Sequence, residues 1–206
     1  MTRLGIYGGS FHPPHRGHGR AAAFFREACA LDQLWIIPAK EPVLREALEG
    51  ASPSDRLAMC RLAFSGYPCT QVSDAELRRP GVSYTIDTLR QAAEDCPGSE
   101  RFLLVGGDQL AQFSRWKDWR EILALCTLTV LPRDSAPLAL PAQLREQRER
   151  VRLLEGFEPL PARATEIRAR LRSGEDVSGD LDSEVLSYIK ERRLYGYDPT
   201  DAAEDP

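Results

Sequence analysis

Four short runs of almost unbroken apolar character punctuate the chain: Leu4-Gly5-Ile6-Tyr7, Leu34-Trp35-Ile36-Ile37, Phe102-Leu103-Leu104-Val105 and Leu128-Thr129-Val130-Leu131. Short continuous runs of this kind predict strands covered on both faces. Weaker candidates surround Val72 and Val151. Between the runs the spacing turns helical. Ser52-Pro53-Ser54-Asp55 reads as an N-cap, a proline at the first helical position and an acidic first turn, with Leu57, Cys60 and Phe64 as the apolar stripe that follows. Ser83 is placed to cap a helix carrying Ile86, Leu89 and Ala93. A first helix is expected over Gly19 to Ala30. Another should start at Thr165, carry Ile167 and Leu171 and stop at Gly174, and a last one surrounds Val185, Leu186 and Ile189. Strands alternating with helices predict an α/β fold, an open parallel sheet with helices on both faces. One domain is expected over 1–197, followed by a polar, acidic and disordered tail over 198–206. Two long loops, Ala39 to Ala51 and Pro132 to Pro141, follow predicted strands, where such folds build their ligand sites.

Composition narrows the function without naming it. Apolar residues make up 42% and charged residues 28% of the chain, an ordinary globular balance. A net charge of −4, with no long Lys/Arg run, argues against a nucleic-acid polymer as partner. It leaves room for a small phosphorylated ligand, which needs only local donors. Five scattered cysteines form no C-x-x-C, which argues against a disulfide framework and a zinc site and points to reduced thiols in the cytoplasm. The first residues run straight into a strand without the pattern of a signal peptide, and no apolar stretch approaches the ~18 residues of a membrane span. A homo-oligomer stays open.

All three histidines fall in one segment, Gly8-Gly9-Ser10-Phe11-His12-Pro13-Pro14-His15-Arg16-Gly17-His18, between the first strand and the first helix. Gly8 and Gly9 let backbone approach a phosphate, and Ser10 adds a hydroxyl. A helix start near His15 to His18 brings free amides and the positive end of a dipole. His15 and His18, three apart, share a helical face and can donate to phosphate oxygens as charge moves. A turn shaped by prolines is the plainer alternative. A zinc site is another, and it lacks a third ligand.

H-x-G-H after a Gly-Gly-Ser-Phe loop resembles the signature of the nucleotidylyltransferase superfamily, and the whole segment is most similar to the nicotinate-nucleotide adenylyltransferases. The likeness runs from about Leu4 to Tyr195 and implies a Rossmann-like sheet. Ser83-Tyr84-Thr85-Ile86-Asp87-Thr88-Leu89 resembles a family helix start that places Tyr84 and Thr85 beside the pyridine ring and its carboxyl group; on the residues alone it is a capped helix. Gly106-Gly107-Asp108 resembles the family's G-x-D, whose Asp contacts a ribose, while the same Asp108 also suits an N-cap. The resemblance stacks Trp116 on the nicotinate ring and leaves Trp119 to the core. Arg163-Ala164-Thr165-Glu166-Ile167-Arg168 resembles a late phosphate-binding helix start, with Thr165 and Arg168 matching and Arg133 a weaker candidate for the same work.

The implied activity is adenylyl transfer from ATP to a pyridine mononucleotide, with Mg²⁺ riding on the phosphates. His15 and His18 are the catalytic pair. Gly8, Gly9, Ser10, Phe11, Thr165, Arg168 and Arg133 hold phosphates. Gly106 and Asp108 hold a ribose, and Tyr84, Thr85 and Trp116 the pyridine. The chain departs from the family at three places. His12 stands where an Asp is usual, Leu44 where the loop Pro42-Val43-Leu44-Arg45 usually carries a histidine, and Arg163 where a Ser is usual. His12 and Arg163 are expected to add positive charge near the phosphates. A diverged paralogue using another phosphorylated acceptor, or a nucleotide-binding protein without turnover, are the alternatives these changes motivate.

Overall fold

The computed structural model describes residues 1–40, 50–132 and 139–198. Six strands form one sheet: β1 (Arg3–Gly9), β2 (Gln33–Pro38), β3 (Thr70–Val72), β4 (Glu100–Gly106), β5 (Thr127–Leu131) and β6 (Val151–Leu153). Every neighbouring pair is parallel, and the order is β3-β2-β1-β4-β5-β6. All four apolar runs and both weaker candidates are therefore strands. The winding reverses between β1 and β4, which opens a crevice beyond their carboxyl ends.

The helices are α1 (Arg16–Ala28), α2 (Pro53–Ala63), α3 (Ala75–Arg78), α4 (Thr85–Asp95), α5 (Gly107–Leu110), α6 (Trp119–Leu125), α7 (Ala164–Arg172) and α8 (Ser183–Glu191). Side chains alternate across each strand, so the sheet separates two cores. Leu34, Ile36, Phe102 and Leu104 meet Phe25, Met59, Ile167 and Val185, from α1, α2, α7 and α8. Leu4, Ile6, Leu103 and Val130 meet Ile86, Leu89 and Ile122, from α4 and α6. Trp119 belongs to this second core, as expected.

Three local expectations shift. Ser52 does cap α2 in a reciprocal box with Asp55, both bonds 3.1 Å, a feature worth about 1 kcal/mol. The buried face of α2, however, is Arg56, Met59, Cys60 and Ala63, and Leu57 is only half-buried. Cys60 and Phe64 are buried as the stripe predicts, while Arg56 takes the place expected of Leu57, because a charged residue does not look like core. Ser83 is not the cap of α4. Tyr84 holds that position without a side-chain bond, while the buried Ser83 hydroxyl accepts from Arg79. Ala92 faces the core where Ala93 was expected. Finally, α1 begins at Arg16, three residues early, and ends before Ala30, whose φ of 47° is left-handed.

Candidate active site

The loop after β1 is held by its carbonyls. The Gly9 carbonyl accepts from the Ala39 amide at 2.8 Å, and the Ser10 carbonyl accepts from Arg56 at 2.8 Å. In a planar trans peptide the N–H opposes the C=O. The amides of Ser10 and Phe11 are thus turned away from Ala39 and from Arg56, and among the described residues neither has an acceptor. Two successive outward amides make a concavity that binds anions. Phe11 adopts a left-handed φ of 44°. Its fully buried ring packs on Tyr7, His18 and Phe64, with centroids 5.3, 5.0 and 6.0 Å away. What Phe11 can offer a phosphate is therefore its backbone. A Cβ on Gly9 would lie 3.1 Å from that ring, so this glycine answers first to Phe11. A Cβ on Gly8 would meet only the Ile37 carbonyl, at 4.0 Å, which leaves the strand end open.

His15 occupies the N-cap of α1, and His18 follows one turn on. Their rings lie 3.8 Å apart between centroids, so the spacing of three does bring them together. The His15 amide donates to His18 Nδ1 at 3.1 Å. A nitrogen that accepts carries no proton, so His18 holds its proton on Nε2 and can donate from there. The helix start offers fewer amides than expected. The Arg16 amide donates to Asp180 at 2.9 Å and the His18 amide to the His15 carbonyl at 2.8 Å. Gly17 remains as the first-turn amide without a partner among the described residues. The donors gathered at this helix start are therefore mainly imidazoles rather than a row of amides.

The late helix start reaches the same loop. Arg168 donates to the His12 carbonyl at 2.7 Å, and Thr165 stands exposed in the first turn of α7. His12 and Arg163, the residues expected to add positive charge near the phosphates, sit in different surroundings. The buried His12 ring packs edge-on against Tyr195, 4.9 Å between centroids, and the exposed Arg163 pairs with Glu166 at 3.8 Å. Tyr195 belongs to a 3-10 turn, Leu194–Gly196, whose amide donates to the Gly50 carbonyl at 3.1 Å. Burial pushes its phenol up, against the pull of Arg56 and Arg168. Sequence patterns gave no signal for either Arg56 or Tyr195, since both act through contacts distant in the chain.

Across the crevice, β4 ends at Gly106, which is the N-cap of the short α5. Asp108 is thus in the helix, not its cap. A Cβ on Gly106 would lie 2.5 Å from Asp108 Oδ1, so the carboxylate folds back over bare backbone at the strand end. Gln109 donates to its other oxygen at 3.2 Å. Acceptors so placed suit vicinal hydroxyls.

On the second-core side, Tyr84 and Thr85 open α4, both half-buried. Trp116 packs 5.3 Å from Phe113, and its buried indole N–H has no partner among the described residues. Lys117 sets its ammonium 4.4 Å above the Tyr84 ring. Aromatic rings, a cation over one of them and a helix start are chemistry that suits an anionic aromatic group. Arg133 and the segment Pro42 to Arg45 lie outside the described residues. Among the described residues no group of three His, Cys, Asp or Glu could hold a metal ion. The donors present are amides, imidazoles and guanidinia, which suit phosphate oxygens.

Residues 6–170 match the cytidylyltransferase-like family. A Chromobacterium violaceum protein called "Probable nicotinate-nucleotide adenylyltransferase" is 39% identical over 94% of this chain and 99% of its own. A Bordetella pertussis protein of the same designation is 38% identical over 95% and 98%. The fold is similar to that of Plasmodium falciparum nicotinic acid mononucleotide adenylyltransferase complexed with NaAD. The TM-score is 0.77 at 15% identity, covering 96% of this chain and 99% of that one.

Proposed function

The chain belongs to the cytidylyltransferase-like family, among the nicotinate-nucleotide adenylyltransferases, and on that premise we propose that it transfers the adenylyl group of ATP to nicotinate mononucleotide, a step of NAD biosynthesis. A phosphate oxygen of the mononucleotide attacks the α-phosphorus of ATP. The new P–O bond forms as the bond to the β-phosphate oxygen breaks, giving nicotinate adenine dinucleotide and pyrophosphate. No protein nucleophile is needed, so the chain contributes positioning and charge stabilisation.

The observation that carries this reading is the close, tilted His15–His18 ring pair in the same loop as two amides without a described acceptor, with His18 presenting Nε2–H. Charge that builds on the leaving oxygen meets donors fixed before the reaction begins. The amides of Ser10 and Phe11, with Thr165 and Arg168, hold the triphosphate. Asp108 takes a ribose. Trp116 stacks on the pyridine, and Lys117 with the first amides of α4 faces its carboxylate. Mg²⁺ carried by ATP would screen the charge of the phosphates that these residues hold. The reaction belongs in the cytoplasm, where free thiols such as the exposed Cys69 stay reduced.

The test is pyrophosphate release from Mg·ATP with nicotinate mononucleotide, nicotinamide mononucleotide or no acceptor, with the nucleotide product identified directly. Dinucleotide is expected with the nicotinate form. Binding of ATP without dinucleotide from either acceptor overturns the assignment in favour of another acceptor or a binding role.

A further inference from the structure

Arg56 is a cation without an obvious purpose. It sits in the first turn of α2 with 1% of its surface exposed. Its hydrogen bonds run to two backbone carbonyls, Ser10 at 2.8 Å and Lys40 at 2.9 Å. Those carbonyls belong to the segments that follow β1 and β2. Among the described residues no carboxylate pairs with it. Its titratable neighbours are the Tyr195 phenol and the Cys60 thiol, both buried and both favoured by burial in their neutral forms, so neither offers a counter-charge. Its neighbour Asp55 is occupied by Ser52 and Tyr188. Burial favours the loss of its proton, yet a guanidinium keeps its charge in proteins. A buried cation without a counter-ion costs stability unless something compensates it.

The compensation has two parts. Two carbonyl dipoles point at the guanidinium. Beyond one of them, on the far side of the same peptide plane, lies the outward amide of Phe11. A hydrogen bond to the Ser10 carbonyl both fixes the direction of that amide and polarises it, because hydrogen-bonded peptides strengthen one another. We propose that Arg56 is a positioning residue that builds the phosphate-binding loop from behind, and that the phosphates of the bound nucleotide are its missing counter-charge. This rests on the loop being the triphosphate site, and goes further by assigning its shape and affinity to a residue no ligand touches. Arg168 does the parallel work on the His12 carbonyl. Tyr195, against His12 and beside both arginines, closes the back of the loop.

The experiment measures dissociation constants for Mg-pyrophosphate and for adenosine, which has no phosphate, on the full chain, Arg56→Met and Arg56→Lys. Arg56→Met is expected to weaken pyrophosphate at least tenfold and adenosine less than twofold. Arg56→Lys, which keeps the charge but not the fork, should recover part of the loss. Equal weakening of both ligands makes Arg56 a general support and overturns the proposal, as does unchanged pyrophosphate affinity. Should Arg56→Met fail to fold, Arg56→Lys carries the same two-ligand comparison, since its fork is gone. Dinucleotide synthesis by the unsubstituted chain is scored separately, so a wrong acceptor and a wrong role for Arg56 give different results.

Discussion

The two halves of the crevice are fastened by different means. Around the loop after β1, the proposed phosphate site, guanidinia grip backbone: Arg56 holds the carbonyls of Ser10 and Lys40, and Arg168 holds that of His12. Around the start of α4, where the pyridine is proposed to bind, side chains grip side chains. Arg79 donates to Ser83, to Thr88 at 3.2 Å and to Gln91 at 3.0 Å, and Thr88 donates to Glu76 at 3.0 Å. Burial raises the Glu76 carboxyl pKa, against the Thr88 bond and the charge of Arg79. Outside this network Arg90 joins Asp87, Asp118 and Glu121. A backbone carbonyl is present whatever residue bears it, so the phosphate loop can carry His12 and keep its shape. A side-chain network changes with each substitution, which suits a surface that chooses between related rings. Lys40 touches both systems: its carbonyl accepts from Arg56, and its ammonium donates to the Arg79 carbonyl at 2.8 Å.

The contrast breaks first at His18. His18→Ala is expected to lower kcat by about 10²–10³-fold, the usual cost of one preorganised donor to developing charge, with ATP affinity nearly unchanged. Steady-state kinetics with a parallel ATP titration decides it, and an unaltered kcat removes the histidine pair from catalysis. Trp116→Ala sharpens the other side. Losing a stacking partner worth ~1–2 kcal/mol should raise KM for the mononucleotide about tenfold while KM for ATP holds. Equal rises in both would erase the division into halves. The smallest effect is at the seam of α2 and α8, where Tyr188 donates to Asp55 at 3.0 Å. Burial alone would raise the Asp55 carboxyl, but bonds from Ser52 and Tyr188 outweigh it and hold the pKa below its ordinary value. A carboxyl depressed on folding stabilises above its unfolded pKa, about 3.9, and that stability fades as pH falls through the folded value. Tyr188→Phe should therefore cost about 1 kcal/mol at pH 7 and less at pH 3, by urea unfolding. An equal cost at both pH values shows that the carboxylate plays no part.

The sheet was legible because each strand announces itself locally, as Leu34-Trp35-Ile36-Ile37 does, and the parallel winding follows from alternation with helices. The histidine pair was legible for a similar reason: three residues along a helix is a local distance. The pattern puts Asp108 at the right strand end, and of its two readings the N-cap falls away, because Gly106 holds that position. What escaped was the support behind the site. Arg56 carries a charge, and the pattern of polar positions assigns charges to the surface. Only the carbonyls of Ser10 and Lys40, brought in by other strands, explain its burial. Ser83 looked like a cap because serine usually is one, and Arg79 takes its hydroxyl instead.

Tyr195 leans on His12, and the turn that bears it is bonded to Gly50. The first loop of the sheet thus receives its backing from nearly the last turn described. During synthesis, β1, β2 and α2 can leave the ribosome and begin to pair long before that turn emerges. Until it does, His12 and Arg56 face solvent, and the loop lacks the wall that fixes it. A nascent chain of this fold could bury most of its core and still be unable to grip a nucleotide until this late segment is in place.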